Sequence, residues 1–404
     1  MKICLLGSTG SVGSHFLEVI RENNKSGSQH SIKTLAAATN INKLWEQAKE
    51  FQPNKLLTAD QRGADRLSQL VSSQDSSYSI DERGLLMGEE GMQQAIEDVD
   101  VDCVVNALSG TNGLIASILT MKAGKKLLLA NKESLVAGGS VLNKLSASSN
   151  SEIIPLDSEH NAIIRCLPQT YKLGDSIYKH GVKKLWLTAS GGPFLNKTKQ
   201  EIATASVEDA CKHPTWAMGN KISIDSATMM NKGLEIIESC HLFSINQEDV
   251  GVIVHPQSLV HCMVEYNDGS IISQLSKPDM RITIHQALNY PEYVSLPFQE
   301  LNPLEMGQLD FIKPDLDKFP CLNLAREAQD AGGIIPMVMS VADDHAVAAF
   351  LDNRISFGDL DKVIAKVMHR YSDKDNQELT ADLAQIKQLT QAITLDSQDI
   401  ISQI

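Results

Sequence analysis

Over the first 155 residues, short apolar runs alternate with longer stretches that have the spacing of amphipathic helices. Six of the short runs predict β-strands: Ile3–Leu6, Ile32–Ala37, Lys55–Thr58, Cys103–Asn106, Leu127–Leu129 and Ile153–Leu156. Strands that alternate with helices along a chain form a parallel sheet with helices on both faces. The pattern therefore predicts an α/β fold that begins with a parallel sheet.

A second set of apolar runs follows, and it predicts four more strands: residues 182–189, Val252–Val254, His261–Tyr266 and Ser270–Leu275. The last two are joined by Asn267-Asp-Gly269, and Asp-Gly supplies the positive φ of a tight hairpin turn. Pro297 to Pro320 is rich in proline and acidic residues and predicts a linker. Beyond it, helical spacing predicts a C-terminal helical domain after the central α+β region.

Composition narrows the class of protein. A chain of 404 residues is long enough for two or three domains. Hydrophobic residues at 42% and charged residues at 21% are typical of a soluble globular protein. The net charge of −14 argues against nucleic acid and anionic membrane surfaces as partners, since both are polyanions. An anionic substrate would then need a local basic pocket.

The seven cysteines are scattered without a CxxC pair, so neither a disulfide framework nor a thiolate zinc site is predicted. Reduced thiols in the cytoplasm are the simplest interpretation. The N-terminus enters a strand pattern at once, without the apolar region of a signal peptide. No apolar run approaches the ~18 residues of a membrane span.

A glycine-rich loop follows the first predicted strand and precedes an amphipathic stretch; its residues are Gly7, Ser8, Thr9, Gly10, Ser11, Val12 and Gly13. In that context glycines permit a tight turn, and the next helix offers N–H groups to a pyrophosphate. The alternative is a generic glycine turn of another α/β protein. The second strand ends in Ala38-Thr39-Asn40, with Lys43 nearby and no acid to bind a ribose 2′-hydroxyl. A Rossmann-like sheet that binds NADP is therefore predicted.

Two further segments carry candidate ligands. Asp157 and Glu159 follow a predicted strand and could both reach one hard cation, although a helix N-cap is the commoner use of such a segment. In Lys221–Glu235, the side chains of Ser226, Asn231 and Lys232 suit a phosphate, whereas Glu235 suits a cation. The alternative is a charged helix start in which a lysine and a glutamate of the segment form an ion pair with each other.

His213-Pro-Thr-Trp216-Ala-Met218 comes after Ser190-Gly-Gly-Pro-Phe194, and the segment between them is polar and bounded by Gly and Pro. The pattern predicts a mobile lid that covers a substrate and excludes water. The alternative is that Trp216 and Met218 belong to the core.

These motifs occur together and in order, and with three more they resemble the 1-deoxy-D-xylulose 5-phosphate reductoisomerase family across residues 1 to about 357. The additional motifs are Ala130–Ser134, Leu156–Ala162 and His255–His261. The resemblance implies conversion of that ketose phosphate to 2-C-methyl-D-erythritol 4-phosphate, on the non-mevalonate route to isoprenoids. It also implies NADPH, Mg²⁺ or Mn²⁺, and a homodimer of bacterial cytoplasm or plastids.

The resemblance carries over to residues at matching positions. Asp157, Glu159 and Glu235 would bind the metal; Ser190, Ser226, Asn231 and Lys232 would bind the phosphate; Lys132, Ser158 and His213 would contact the hydroxyl end; Trp216 and Met218 would form the lid. Lys132, Glu159 and His213 are the expected catalytic residues. The glycine loop, Asn40, Asn131, Glu133 and Gly219 are expected to bind the dinucleotide.

The expected domains are an NADPH-binding domain at 1–150, a catalytic and dimerisation domain at 151–296 with a lid at 190–220, a linker at 297–319 and a helical domain at 320–404. Two segments depart from the family pattern. Ala38-Thr39-Asn40 lacks the usual basic residue, and Ser340-Val-Ala-Asp-Asp344 replaces Asn-Ala-Ala-Asn-Glu. A regulatory protein that kept the fold, or an NADP enzyme with a nucleophilic cysteine, are the competing interpretations.

Overall fold

The computed structural model describes residues 1–72, 78–149, 151–216, 218–374 and 377–404. Backbone contacts divide the chain into two compact units. Unit 1 consists of Met1–Asn131, Lys144–Asp157 and Met280–Gln299, and unit 2 consists of Lys132–Asn143, Ser158–Asp279 and Glu300–Ile404. Each unit is therefore assembled from segments that are distant in the sequence.

Eleven strands occur in the described residues: β1 Lys2–Leu6, β2 Ser31–Ala37, β3 Lys55–Thr58, β4 Leu85–Met87, β5 Cys103–Asn106, β6 Lys126–Leu129, β7 Ile153–Pro155, β8 Val182–Ala189, β9 Val250–Val254, β10 Val260–Tyr266 and β11 Ile271–Leu275. All the strands predicted from the sequence are present. Only β4 was not predicted, because its three residues are too few to show a pattern.

The α-helices of the described residues are α1 Ser11–Lys25, α2 Ile41–Phe51, α3 Gln61–Ser72, α4 Gly88–Glu97, α5 Thr111–Lys122, α6 Glu133–Ser148, α7 Ser158–Cys166, α8 Lys199–Ala203, α9 Val207–Cys211, α10 Asn220–Thr228, α11 Met230–Phe243, α12 Met280–Asn289, α13 Cys321–Ala331, α14 Ile335–Leu351, α15 Leu360–Arg370 and α16 Leu383–Ser402. Short 3₁₀ turns lie at Glu82–Gly84, Ile177–His180, Gln247–Asp249, Pro303–Glu305, Phe357–Asp359 and Ser372–Lys374. None of these helices is both long and apolar enough to cross a bilayer, among the residues described.

Unit 1 contains a seven-stranded sheet in the order β4-β3-β2-β1-β5-β6-β7, and every pair of neighbours is parallel. Ile3 to Leu6 of β1 are fully buried, as expected for a central strand covered on both faces. The strand order reverses at β1, which lies between β2 and β5. Ligand sites of such sheets lie at this reversal, beyond the carboxyl ends of the strands.

Unit 2 contains a four-stranded mixed sheet in the order β11-β10-β8-β9. Strands β8 and β9 are parallel, whereas β10 is antiparallel to both β8 and β11. The predicted hairpin between β10 and β11 is present, and Gly269 in its turn has a φ of +86°. Helix α7 packs on β10 and β11, and α11 packs against α13.

The C-terminal region is helical from α13 to α16, with α14 in contact with α13, α15 and α16. The parallel sheet, the mixed sheet and these helices confirm the predicted fold class. The predicted linker contains one 3₁₀ turn, and its residue Ile312 pairs with Val254 of β9 through two hydrogen bonds of 2.8 Å. The predicted domain boundaries at 150, 296 and 319 differ from the division by contacts and stay a prediction.

Candidate active site

The glycine loop of unit 1 is held by its own backbone. Gly7 has a φ of +82°, and the N–H groups of Gly7 and Ser8 both donate to the carbonyl of Ala36, at 3.1 and 2.9 Å. A Cβ on Gly7 would lie 2.3 Å from the carbonyl oxygen of Ala107, and a Cβ on Gly13 would lie 2.3 Å from that of Gly7. These positions have no room for a side chain.

The same loop presents the start of α1 as an anion site. Helix α1 begins at Ser11 with Gly10 as its N-cap, and no side chain caps it. The first N–H groups of a helix have no partner within the helix, and the helix dipole favours an anion there. The loop therefore fits the pyrophosphate of a dinucleotide.

The other expected cofactor residues are spread along the chain. Ser8 is buried, and its hydroxyl donates to Gln47 of α2 at 2.8 Å, while Asn40 caps α2 by accepting the N–H of Lys43. Asn131 follows β6 and donates to the carbonyl of Gly110 at 3.4 Å. Thr9 and Val12 are half-buried on the loop, Glu133 begins α6, and Gly219 is the exposed N-cap of α10.

In unit 2, Glu235 of α11 is fully buried and is surrounded by donors. Its carboxylate accepts hydrogen bonds from Asn231 at 2.6 Å, from Lys232 at 2.6 Å and from Lys132 at 3.2 Å. Lys132 also donates to the side-chain oxygen of Asn231 at 2.7 Å. The helix spacing of three and four residues places Asn231, Lys232 and Glu235 on one face, as the sequence predicted.

Glu159 joins this cluster from the first turn of α7. The ammonium of Lys232 contacts both Glu159 and Glu235, so it lies between two carboxylates. Ser158 donates its hydroxyl proton to Glu159 at 2.5 Å. The lysine–glutamate pairing of the alternative interpretation is thus present, but it extends to a glutamate 73 residues away.

Asp157 is joined to Ser158 by a peptide bond and completes a three-carboxylate group. One ligand oxygen each of Asp157, Glu159 and Glu235 lies within 4.8 Å of the others. An all-oxygen ligand set of this kind suits Mg²⁺ or Mn²⁺. The charges also favour a divalent cation, since three carboxylates face two ammonium groups.

A histidine that was not predicted as a site residue supports this group from behind. His160 is fully buried; its Nε2 lies 3.1 Å from the carbonyl oxygen of Glu235 and 2.9 Å from the hydroxyl of Ser239. Its Nδ1 lies 3.2 Å from Glu238. Glu235, Glu238 and Ser239 share a helix face through their spacing, and this was the signal in the sequence.

His213 has a defined neutral tautomer. Its Nδ1 accepts the N–H groups of Thr215 at 3.3 Å and Trp216 at 2.9 Å, so the ring proton is on Nε2. Nε2 therefore donates to the hydroxyl oxygen of Ser190 at 2.8 Å. Burial, with a smaller contribution from the charge of Lys232, lowers the pKa of His213 to about 4. His213 is neutral at pH 7.

Two glycines bring Ser190 close to α10. Gly191 and Gly192 both have positive φ, and the N–H of Gly192 donates to the hydroxyl of Ser190 at 3.1 Å. A Cβ on Gly192 would lie 2.9 Å from the carbonyl oxygen of Ser226. The Ser190 turn therefore lies against Ser226, the other serine that is predicted to bind the phosphate.

The predicted lid contributes a half-buried indole to this unit. The ring of Trp216 meets the ring of His261 edge to face, with centroids 6.2 Å apart. Met218 is also half-buried, and residue 217 lies outside the described residues. Neither Trp216 nor Met218 is a fully buried core residue.

The segment Ser340–Asp344, which differs from the family pattern, lies in α14 and contacts Lys221 of α10. The ammonium of Lys221 lies 2.6 Å from Asp225, 2.8 Å from Asp343, 3.3 Å from Asp344 and 3.9 Å from Glu133. Burial raises the pKa of Asp344 to about 6 and, together with Asp343, raises the pKa of Asp225 well above its usual range. One ammonium thus faces four carboxyl groups.

The fold and the two sites define an α/β oxidoreductase with a dinucleotide loop and a carboxylate site for a hard cation. Family profiles agree: 1-deoxy-D-xylulose 5-phosphate reductoisomerase matches residues 3–139, its C-terminal domain matches 153–243, and DXP reductoisomerase C-terminal domain matches 275–396. The chain belongs to the 1-deoxy-D-xylulose 5-phosphate reductoisomerase family.

Individual relatives extend over nearly the whole chain. The reductoisomerase of Psychrobacter sp. (strain PRwf-1) is 40% identical over 96% of this chain and 93% of its own length. That of Acinetobacter baumannii (strain SDF) is 42% identical over 91% of each chain. A crystal structure of DOX-P reductoisomerase in complex with NADPH, fosmidomycin and magnesium has a TM-score of 0.92 and 39% identity, and covers 100% of this chain and 98% of its own.

Proposed function

We propose that this chain converts 1-deoxy-D-xylulose 5-phosphate to 2-C-methyl-D-erythritol 4-phosphate, by rearrangement followed by reduction with NADPH. The observation that carries the proposal is the cluster in which Asp157, Glu159 and Glu235 converge beside Lys132, Lys232 and Asn231. The cluster offers oxygen ligands for a cation and nitrogen donors for a phosphorylated ligand. The relatives named above carry this activity in their names, and one was crystallised with NADPH and magnesium.

Asp157, Glu159 and Glu235 would hold the cation, Mg²⁺ or Mn²⁺. When bound, the cation supplies Lewis-acid stabilisation of the oxyanion that forms as the C3–C4 bond of the substrate breaks. The fragments recombine to a branched aldehyde, which is then reduced. Lys232 contacts Glu159 and Glu235 in the structure, and we infer that it leaves these carboxylates when cation and substrate bind.

The phosphate of the substrate would be bound by Ser190, Ser226, Asn231 and Lys232. The structure supports this through the approach of the Ser190 turn to Ser226 and through Lys232 and Asn231 on one helix face. Neutral His213 keeps its Nε2 proton directed at Ser190, so it can donate to a substrate oxygen after a small rotation of that hydroxyl.

The hydroxyl end of the substrate would meet Ser158, Lys132 and His213. Lys132 is buried, and its Nζ lies within hydrogen-bond distance of Asn231 and Glu235. An ammonium at this position can donate a hydrogen bond to the oxyanion that forms as the C3–C4 bond breaks. Catalysis would therefore rest on Lys132, Glu159 and His213, with His160 as a support for Glu235.

The dinucleotide would bind at residues 7–13 with Asn40, Asn131, Glu133 and Gly219. The uncapped start of α1 and the glycine contacts support the pyrophosphate position. NADP is favoured over NAD because β2 is followed by Ala38, Thr39 and Asn40, which include no carboxylate to repel a 2′-phosphate.

The alternative enzyme class requires a reactive thiol. Burial raises the pKa of Cys4, Cys103 and Cys240 to about 12 each, and it raises the pKa of Cys262 and Cys321 as well. A thiol is nucleophilic only as the thiolate. These cysteines therefore favour the reductoisomerase over a semialdehyde enzyme with a cysteine nucleophile.

We propose that residues 190–220 form a lid over the ligand. Gly191, Gly192 and Gly219 lie near the two ends of the segment, and Trp216 and Met218 are half-buried within it. A phosphonate hydroxamate such as fosmidomycin, added with Mg²⁺, should change tryptophan fluorescence and protect this segment from proteolysis. Equal protection in excess chelator would show that the segment is a fixed part of unit 2.

We further propose a homodimer in the cytoplasm. Strand β11 is the edge of its sheet and exposes two isoleucines, Ile271 at 56% and Ile272 at 46%. An apolar edge strand is a template for pairing, and a second copy of β11 would cover it. Light scattering of the wild type against Ile272→Lys tests this proposal, which fails if the wild type is a monomer. The seven free thiols suit a reducing compartment.

The activity itself is tested by NADPH oxidation with 1-deoxy-D-xylulose 5-phosphate, followed at 340 nm. Turnover should require Mg²⁺ or Mn²⁺, stop in excess chelator and be much slower with NADH. Product of the expected mass should form in equal amount to the NADPH consumed. NADPH oxidation that is independent of a divalent cation would overturn the assignment of the carboxylate cluster.

A further inference from the structure

The expected position of the 2′-phosphate of NADP has no cation in its own turn. Ala38, Thr39 and Asn40 follow β2 and are all exposed and uncharged. A phosphate monoester carries close to two negative charges at pH 7 and is bound mainly through charge-assisted hydrogen bonds. Selective binding of NADP, which is part of the function proposed above, therefore needs cations from other elements of unit 1.

Lys43 lies beside this turn and reaches the glycine loop. Its ammonium donates to the carbonyl oxygen of Thr9 at 3.0 Å and to the hydroxyl of Ser14 at 2.7 Å. An ammonium has three donors, so these two contacts leave one for a ligand. The backbone N–H of Lys43 is bound to Asn40, which places the residue in the first turn of α2.

Arg66 of α3 approaches the same helix start from the next strand connection. Its guanidinium donates to the side-chain oxygen of Asn42 at 3.1 Å. Asn42 precedes Lys43, and both Arg66 and Lys43 are exposed. The guanidinium retains further donors in a geometry that suits a phosphate.

In the described part of the chain, neither Lys43 nor Arg66 forms an ion pair with a carboxylate. Among the residues that the structure describes, the hydrogen-bond partners of Lys43 and Arg66 are neutral oxygens. By contrast, Lys49 on the same helix pairs with Glu46 at 2.7 Å. The acid at the end of β3, Asp60, accepts the N–H of Gly63 at 2.9 Å.

The helix that carries Lys43 is fixed to the loop by buried contacts. The hydroxyl of Ser8 donates to Gln47 at 2.8 Å, and the amide of Gln47 donates to the carbonyl of Ser8 at 2.9 Å. Lys43 lies one helical turn before Gln47, so the position of its ammonium is set before a ligand arrives.

We propose that Lys43 and Arg66 bind the 2′-phosphate of NADP and determine the preference of this chain for NADP over NAD. Lys43 would contact the phosphate from the side of the glycine loop, and Arg66 would contact it from the side of α3. The two side chains replace the basic residue that the turn itself lacks. The inference rests on the proposed function and concerns its cofactor specificity.

Calorimetry with adenosine 2′,5′-bisphosphate and 5′-AMP tests the proposal without turnover, since these ligands differ only in the 2′-phosphate. Lys43→Ala should weaken bisphosphate binding about tenfold and Arg66→Ala about threefold, as partly exposed charge-assisted contacts do. Binding of 5′-AMP should change less than about twofold. Lys43→Arg should restore most of the bisphosphate affinity.

Lys49→Ala is the matched control on α2 and should leave both ligands unaffected. If Lys43→Ala weakens both ligands equally, Lys43 supports the loop and the inference is overturned. The inference also fails if the wild type prefers the bisphosphate and both variants retain that preference. A wild type without any preference would instead refute the assignment of NADP in the proposed function.

Discussion

The glycine loop and the charged cluster around Glu235 would hold their proposed ligands by different physical means. The loop is built from seven consecutive residues, and its donors are backbone N–H groups at the start of α1. The cluster is built from side chains, and Lys132 and Glu235, which bond within it, are 103 residues apart. Steric contacts limit which substitutions the loop tolerates, whereas electrostatics limit which substitutions the cluster tolerates.

The difference determines what kind of change each region tolerates. A methyl group is enough to disrupt the loop at any pH, because a Cβ on Gly7 or Gly13 would lie 2.3 Å from a carbonyl oxygen. A buried group of carboxylates and ammoniums depends on the sum of its charges, so an isosteric change from carboxylate to amide is enough there. Four substitutions test this difference between steric and electrostatic limits.

The largest effect is expected for Glu235→Gln. The amide keeps the shape of the side chain but removes a metal-ligand charge and the partner of two ammonium groups. Turnover should fall by about a thousandfold or more, in line with the loss of electrostatic stabilisation in a buried site. NADPH affinity, measured by fluorescence titration, should stay within a factor of two.

The exposed control for this variant is Glu50→Gln, which removes only a surface pair with Arg21 and should retain full activity. A collapse of NADPH binding in Glu235→Gln would contradict the separation between the two regions.

Gly13→Ala should disrupt the loop by sterics alone. The new Cβ would lie 2.3 Å from the carbonyl oxygen of Gly7 and 2.7 Å from the Cα of Ser8, and neither is a flexible side-chain end. Overpacking of this kind costs about 2 kcal/mol in the free energy of unfolding. Gly10→Ala is the matched control for stability, because the nearest atom to its Cβ would be at 3.4 Å. Urea denaturation should separate the two variants, and equal stability would refute the steric account.

Asp344→Asn tests the electrostatic account through pH at a second charged group, the carboxyl groups around Lys221. The pKa of Asp344 is raised to about 6, so folding favours its protonated form, and stability falls as the pH rises from about 4, where the unfolded chain ionises, to about 6. Asparagine cannot ionise, so the stability gain of the variant over the wild type should be about 1 kcal/mol larger at pH 8 than at pH 5. Thermal unfolding at both pH values measures this, with the exposed Asp352→Asn as control. A larger gain at pH 5 would contradict the sign.

The smallest effect is expected for Thr39→Lys. Thr39 is exposed in the turn after β2, and a lysine there would add a cation beside the proposed 2′-phosphate site. Because Lys43 and Arg66 already supply charge, NADPH affinity should rise by no more than about threefold. NADH affinity should not change. An equal gain for both dinucleotides would show that Thr39 does not lie beside the 2′-phosphate.

Much of the fold could be predicted because local pattern and final structure agree. The apolar runs from Ile3–Leu6 to Ile153–Leu156 all became strands of one parallel sheet, and Asn267-Asp-Gly269 became a hairpin turn. Strand β4 escaped prediction, since three residues show no alternation and gain their strand conformation from pairing with β3. Pairing with a neighbour is not visible in so short a segment.

Parts of the candidate site were also visible in the sequence. The spacing of Asn231, Lys232 and Glu235 on one helix predicts their common face, and the structure shows it. His160 was missed as a site residue because its partners, Glu238 and Ser239, lie more than 70 residues along the chain. The protonation state of His213 depends on burial and on two backbone N–H groups, which no motif specifies.

The sequence by itself determined the elements, the glycine loop and the family, because each depends on residues close together in the chain or on motifs in order. Only the tertiary structure decided which charges meet: Lys232 between Glu159 and Glu235, Lys221 among four carboxyl groups, and Lys43 on the glycine loop. Electrostatic energies and pKa values depend on distances of a few ångströms and on burial. Those quantities arise only when segments distant in sequence pack together.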